Sequence, residues 1–510
     1  MRLPAPGRGT PCPAVIGDLL DLEALSSLPD RQLVALREAL RTAGYDARLL
    51  ADAEAIAPRQ FDAVRLPLVQ AWLADQPGPG AILARLFGYR DALGRDDVTR
   101  ALNPELAGAL EACGVLIRQG ERVRSLLRLM PFGGVWVGSD DADAQYDPVM
   151  GPGATTQELL NTLPGSMPAR VLDVGCGAGS LALVAAHRGA TSVTAVDLDP
   201  RAVALTAWNA RLNELEISTL AGDLLDPIQG ESFDLVFAQP PFVPQPPDVQ
   251  ATTYLHGGSR GDELSLRLLG GLPEVLAPGG QALVLMDTAP PTGTAIERIR
   301  AALPDVPLQV AVIDAPGHRA HDLALGYAAA ADSTLGPEYA EAARRYAAHL
   351  AALEIEQTRH ALVVIRRPVP DDPSWAVSVE PRGRSPYGAR DLERLDAALA
   401  VATLAPADLR TQRLRPPAGA QLVQAHPFDD TAPSQLRLVC PGGRAPDQDL
   451  TEAAARLLDF ANRTDTVGDL IDAYAEACSE EPDRVESAVL DFLRKALVSG
   501  VLEADEEPTS

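Results

Sequence analysis

Residues 233–244 read FDLVFAQPPFVP. The run Phe233–Ala238 is rich in apolar residues and ends in Gln239-Pro240-Pro241-Phe242. Proline fixes its own φ and restricts the residue before it, so two in succession stiffen the chain where a strand stops. The tetrapeptide thereby holds two acceptors on a rigid frame, the Pro240 carbonyl and the Gln239 side-chain oxygen, ready to receive N–H bonds from a ligand. Phe242 adds a flat apolar face on which a planar group can stack. Read structurally, the same residues would do no more than terminate a strand.

A second cluster lies upstream, in VLDVGCGAGS. An apolar strand runs into Gly175, Gly177 and Gly179, and a helical stretch follows. Glycines there permit a tight turn and close approach of a ligand to the backbone, and the helix start offers free N–H groups. A dinucleotide fold would place its third glycine at position 180, where this chain has Ser180. The tighter G-x-G-x-G spacing suits S-adenosylmethionine (SAM), which carries no pyrophosphate. Asp197 ends the next apolar run, at the distance from the glycine turn where an acid can accept from both ribose hydroxyls. Its neighbour Asp199 precedes Pro200 and reads as a helix N-cap. Asp223, in LAGDLLDP, is placed to accept from the adenine amino group with Leu224 against the ring; its bland reading is a turn residue. Asp173 sits inside the first strand and needs partners, either N–H groups of the glycine loop or the amino group of SAM.

These positions require a frame. From Arg170 onward, short apolar runs alternate with helical stretches: RVLDVG, SVTAVDLD, ISTLAGD, FDLVFAQ, GQALVLMD, LQVAVIDA and HALVVIRR. The alternation predicts an α/β fold built on a doubly wound, seven-stranded, Rossmann-like sheet over residues 146–368. Residues 18–145 read as helices followed by a hairpin near Gly120, a helical, winged-helix-like domain. Residues 369–445 are Pro-rich and read as a linker or accessory layer. Residues 446–504 read as a helical, winged-helix-like C-terminal module, followed by an acidic tail expected to be unstructured.

Composition narrows the partners. The chain has 510 residues, 46% hydrophobic and 22% charged, an ordinary globular balance. Its net charge of −26 disfavours a phosphate backbone as the general partner, though a local basic patch could still bind one. The five cysteines are widely spaced with no C-x-x-C pair, so no zinc site or disulfide framework is indicated. No apolar run approaches a membrane span and no signal-peptide core is present; a cytoplasmic protein without a membrane partner is expected.

Together these motifs resemble the class I SAM-dependent methyltransferases over residues 150–368. Gln239-Pro240-Pro241-Phe242 resembles the Asn/Asp-Pro-Pro-Tyr/Phe motif of the amino-nitrogen methyltransferases, and YLHGGSRGDELSLRLL resembles the Gly-rich segment that follows it in the small-domain subfamily, which includes release-factor glutamine methyltransferases. Gln239 departs from the Asn or Asp of that pattern by one methylene. The resemblance implies SAM as cofactor, with Asp173, Gly175, Gly177, Gly179, Asp197, Asp223 and Leu224 around it and Gln239 to Phe242 at the reacting nitrogen. An amide nitrogen attacks better when acceptors hold its N–H bonds and turn its lone pair toward the methyl group. The implied acceptor is a glutamine side chain of a protein or peptide. The alternatives are a ribosomal RNA base, or a SAM-binding regulator in which Gln239 has blunted catalysis. His256 would line the acceptor site, act as a base or serve only as a loop residue; His318 and His321 have no acidic partner at metal-ligand spacing.

Overall fold

The computed structural model describes residues 20–56, 62–140, 147–249, 252–331, 335–381, 387–425, 435–441 and 445–504. The last six residues of the acidic tail lie outside the described residues. The chain forms two compact units: residues 1–152 with 204–215, and residues 153–203 with 216–510.

In the first unit, the helix Asp30–Thr42 buries Leu33, Leu36 and Leu40, the i, i+3, i+7 stripe of its sequence. The strands Leu93–Gly94, Leu116–Gln119 and Arg122–Ser125 form an antiparallel sheet, and Gly120 turns its hairpin at φ +64°. The helices Arg95–Leu102 and Pro104–Ala112 lie between the first and second of these strands. A second hairpin pairs Arg128–Phe132 with Val135–Ser139. Asn209 and Asn213, one helical turn apart, complete its edge. Asn209 accepts from Gly138 N and donates to Gly138 O, both at 2.8 Å. Asn213 does the same for Trp136 at 2.8 and 2.7 Å.

The second unit holds the large sheet. Its strands are β1 (Arg170–Val174), β2 (Ser192–Asp197), β3 (Ser218–Ala221), β4 (Phe233–Ala238), β5 (Leu276–Thr288), β6 (Gln309–Arg319), β7 (Gln357–Arg366) and β8 (Trp375–Val379). The count is eight, not the expected seven; β8 comes from the Pro-rich segment read as linker or accessory layer. The order is β8-β6-β7-β5-β4-β1-β2-β3. Strands β1 to β5 run parallel, β7 is antiparallel to both β5 and β6, and β8 is parallel to β6.

Helices α1 (Ala154–Thr162), α2 (Ser180–His187), α4 (Glu263–Val275) and α5 (Pro337–Ala352) frame the site, and α3 (Pro200–Asn213) follows β2. The last two-thirds of α3, from Ala204, belong to the first unit. On one sheet face Leu172, Val174, Val236, Ala238 and Val284 pack with Leu268 and Leu272 of α4. The alternate residues Val171, Leu235, Phe237 and Leu283 are buried too. Burial on both faces is why these strands read as unbroken apolar runs. The C-terminal part of this unit pairs Gln421–Ala425, Gln435–Val439 and Gln448–Leu450, and three helices follow, Glu452–Arg463, Val467–Cys478 and Pro482–Ser499. They share a core that includes Ala398, Leu409, Leu457, Leu470 and Leu493. Among the described residues, no helix is long and apolar enough to cross a membrane.

The sheet order sets the place of any ligand. From β1 the chain proceeds outward to β2 and β3; β4 then returns to the other side of β1. In such sheets ligands bind at the carboxyl ends of the strands where the order reverses. Here those ends are Val174 and Ala238, which pair directly.

Candidate active site

The glycine turn follows β1 as the spacing predicts. Gly175, Gly177 and Gly179 have φ of +72°, +53° and +77°. Side chains rarely adopt such angles, so the turn needs glycine on conformational grounds alone. A Cβ on Gly175 would meet no heavy atom within 4 Å, so the loop faces open space there. Gly175 N and Cys176 N both donate to Val196 O, at 2.8 and 3.0 Å, which binds the turn to the end of β2.

Asp197 closes the turn from the other side. Its Oδ2 accepts from Gly177 N at 2.8 Å and its Oδ1 from Asp199 N at 2.9 Å. Burial pushes this carboxyl above its usual range, against the hydrogen bonds that favour the charged form. Asp199 accepts from Arg201 N at 2.8 Å, as expected of an N-cap. Asp173 is 4% exposed, and its Oδ2 accepts from Ala182 N of the first turn of α2 at 3.0 Å. Its partner is thus the helix start and not a glycine N–H. Burial, reinforced by the nearby charge of Asp197, pushes Asp173 up to about 7.

The end of β3 reaches the same place, since Gly222 N donates to Asp197 O at 2.9 Å. Beyond it Asp223 takes a two-pronged ion pair from Arg267, both bonds at 2.8 Å. Leu224 adopts φ +50°, a strained conformation for leucine, and packs against the main core.

Gln239-Pro240-Pro241-Phe242 leaves β4 beside this turn. Gln239 reaches across to α1: its Nε2 donates to Thr155 Oγ1 at 2.5 Å, and its Oε1 accepts from Thr156 Oγ1 at 3.4 Å. The Gly-rich segment downstream lies directly on the motif. A Cβ on Gly257 would come within 2.2 Å of the Pro241 carbonyl oxygen, and one on Gly261 within 2.4 Å of that of Phe242. Val243 N donates to Leu255 O at 3.0 Å and Gln245 N to Gly258 O at 2.9 Å. His256 accepts from Thr252 N through Nδ1 at 2.9 Å, which leaves its Nε2 to face the Tyr346 hydroxyl on α5 at 2.8 Å. It pins this segment to the helix. His318 borders the cavity described next, and His321 does not.

Phe242 and Thr155 also line a cavity of about 420 Å³ that sequence reasoning missed. Its walls are largely apolar, with Leu285, Ile313 and Leu323, and one side carries Glu158, Asp287 and His360. His360 Nδ1 lies 2.6 Å from Asp287 Oδ1 and its Nε2 2.8 Å from Glu158 Oε2. Asp287 Oδ2 also accepts from Thr358 Oγ1 at 3.2 Å. Burial opposes charge on His360, but the two carboxylates outweigh it and push the ring up to about 10. The available signal was Asp287, an acid ending an apolar run as Asp197 does. Its partner became visible only with the antiparallel register, which sets Asp287 opposite His360.

A family model described as methyltransferase small domain matches residues 152–298. Over 134 residues the chain is 34% identical to a protein of Methanocaldococcus jannaschii provisionally named a protein N5-glutamine methyltransferase, a match covering 26% of this chain and 68% of that one. The chain belongs to the small-domain family of SAM-dependent methyltransferases. A release factor glutamine methyltransferase of Geobacter sulfurreducens is 29% identical over 241 residues, covering 43% of this chain and 81% of the relative. A ribosomal protein L11 methyltransferase of Thermotoga neapolitana is 46% identical over 67 residues, covering 13% and 25%.

This methyltransferase uses SAM, and its residues suit that cofactor. The open face of Gly175 leaves room for a ligand against the backbone. Both oxygens of Asp197 accept backbone hydrogen bonds here, and a carboxylate offers about four acceptor sites, which leaves capacity for a ligand. The small-domain match contains the glycine turn, Asp197, the Pro-Pro motif, Glu158 and Asp287; His360 lies beyond it.

Proposed function

We propose that this protein methylates the side-chain amide nitrogen of glutamine in a protein or peptide. One observation carries the reading: the rigid Gln239-Pro240-Pro241-Phe242 segment leaves β4 next to the glycine turn, through the pairing of Ala238 with Val174. In this reading Gly175, Gly177 and Gly179 give a cofactor access to the backbone, and Asp197 accepts from its ribose hydroxyls. Asp223 and Leu224 border its adenine, and Asp173 supports the loop from below α2. Bound there, SAM supplies an electrophilic sulfonium methyl group.

The chain's own part is alignment. The Pro240 carbonyl and Gln239 Oε1 accept the two N–H bonds of the amide. Oε1 remains available for this, since its bond to Thr156 is long at 3.4 Å. Phe242 stacks on the amide plane. Held this way, the nitrogen lone pair points at the methyl group, and alignment alone can supply several powers of ten in rate. The proton released by nitrogen goes to water. The relatives named for glutamine methylation and for ribosomal protein L11 support a protein acceptor, and the net charge of −26 argues against RNA. We read the first unit's order of strand, two helices and hairpin as winged-helix-like (18–145), and the three C-terminal helices (446–504) likewise, around a methyltransferase domain at 146–368.

The test is incubation of the full chain with labelled SAM and a cell lysate, followed by protease or nuclease digestion. Label recovered as amide-methylated glutamine is expected. Label that follows RNA would overturn the acceptor.

A further inference from the structure

The cavity beside Phe242 has an unbalanced charge. Glu158 and Asp287 are two carboxylates against one imidazolium, His360, so this trio carries one net negative charge. Among the described residues, no Arg or Lys lines the cavity. Asp287 is spent on His360 and Thr358. Glu158 gives one oxygen to His360; its side chain is 32% exposed. The rest of the wall is apolar, which favours a ligand with an aliphatic stem and a charged tip. The volume of about 420 Å³ is that of a ligand site, larger than a glutamine amide needs. Its place is fixed relative to the transfer motif: Thr155 lines it and accepts the Gln239 amide, and Phe242 forms part of its wall.

We propose that this cavity is a specificity subsite that takes the cationic side chain of an arginine or lysine flanking the methylated glutamine in a basic peptide. The aliphatic stem lies along Leu285, Ile313 and Leu323, and the charged tip meets the open oxygen of Glu158. The imidazolium bridge keeps Glu158 and Asp287 from repelling one another and fixes the carboxylate for its ligand. The net charge of −26 on the whole chain draws the same class of peptide. The proposal rests on the glutamine reading above.

The test uses the full chain and paired peptides, each with one glutamine and either arginine or its neutral isostere citrulline, placed one to three residues to either side. Binding is read by calorimetry with S-adenosylhomocysteine present, and transfer by kcat/KM with SAM. At the best position the arginine peptide should exceed its citrulline twin by about tenfold in both, the value of one charge-assisted hydrogen bond. Glu158→Gln should bring the ratio close to one, and Glu158→Asp should retain part of it. If Glu158→Gln does not fold, the wild-type ratio at rising ionic strength gives the same reading, and it should fall. Equal binding of the twins at every position overturns the subsite, as does a preference untouched by Glu158→Gln or, where that variant does not fold, by salt. A charge preference in binding with no transfer to glutamine overturns the amide reading and leaves the subsite standing.

Discussion

Gln239 Nε2 donates to Thr155 Oγ1 at 2.5 Å and so ties the end of β4 to the first turn of α1. This residue carries one methylene more than Asn, and its amide reaches Thr155 on α1. In the proposed role the departure from the family pattern is an anchored acceptor, with Oε1 oriented by the bond that Nε2 makes. Gln239→Ala should lower kcat by about 10²-fold or more, the cost of one aligned polar group at a transition state, with SAM affinity little changed. Thr155→Val keeps the volume and removes the acceptor. It should lower kcat by about tenfold, comparable to one lost buried hydrogen bond, with SAM affinity again unchanged. Initial rates with calorimetric SAM binding check both; a full rate in Gln239→Ala would remove it from the mechanism.

Gly257 and Gly175 should respond differently to alanine. At Gly257 the added Cβ would sit 2.2 Å from Pro241 O and 2.1 Å from Gly261 O, against backbone on both sides. The motif must shift, so Gly257→Ala should lose most activity and about 1–3 kcal/mol of stability. At Gly175 only the positive φ is violated, at about 1–2 kcal/mol. Thermal melts and rates on the two variants check this contrast.

Much of the frame was legible because burial on both faces writes each strand as a continuous apolar run. The seven runs from RVLDVG to HALVVIRR all became strands of one sheet. WAVSV escaped notice because it is a short edge strand, mostly half-buried, set among prolines. The glycine turn and Asp197 were legible because their spacing is local. The cavity was not, since its charged residues come from distant parts of the chain: Asp287 and His360 meet through the antiparallel pairing of β5 and β7, and Glu158 joins them from α1. The anchor of Gln239 was hidden for the same reason, being some eighty residues away in α1.

Asp173 sets a pH dependence whose sign can be worked out. Its folded value, about 7, lies above its ordinary 3.8, because burial disfavours the charged form. Its contribution to stability is therefore fully present below about pH 4 and is lost as pH rises through about 7. Asp173→Asn keeps an acceptor for Ala182 N without the charge. It should raise the stability of the ligand-free protein at pH 8 by at least about 1 kcal/mol, and the gain should shrink toward pH 4. In the proposed role below the glycine turn, the same change should weaken SAM binding. Urea melts across this range, with calorimetry, check both; a destabilised Asp173→Asn at pH 8 would contradict the buried-charge argument.

His360 gives a second titration, displaced to alkaline pH. Its value is pushed up to about 10 because Asp287 and Glu158, on opposite ring nitrogens, outweigh the cost of burial. A group raised in the folded state stabilises fully below its unfolded value, about 6.5 for histidine, and that contribution is lost as pH rises through the folded value. Stability should therefore fall between about pH 6.5 and 10, and His360→Gln should flatten that decline. Removing one carboxylate with Glu158→Gln should lower the histidine midpoint by about one unit or more. The imidazole resonances of His360, followed by NMR in the wild type and in Glu158→Gln, measure this directly. A wild-type midpoint near 6.5 would mean that the two carboxylates do not hold the ring as the structure describes.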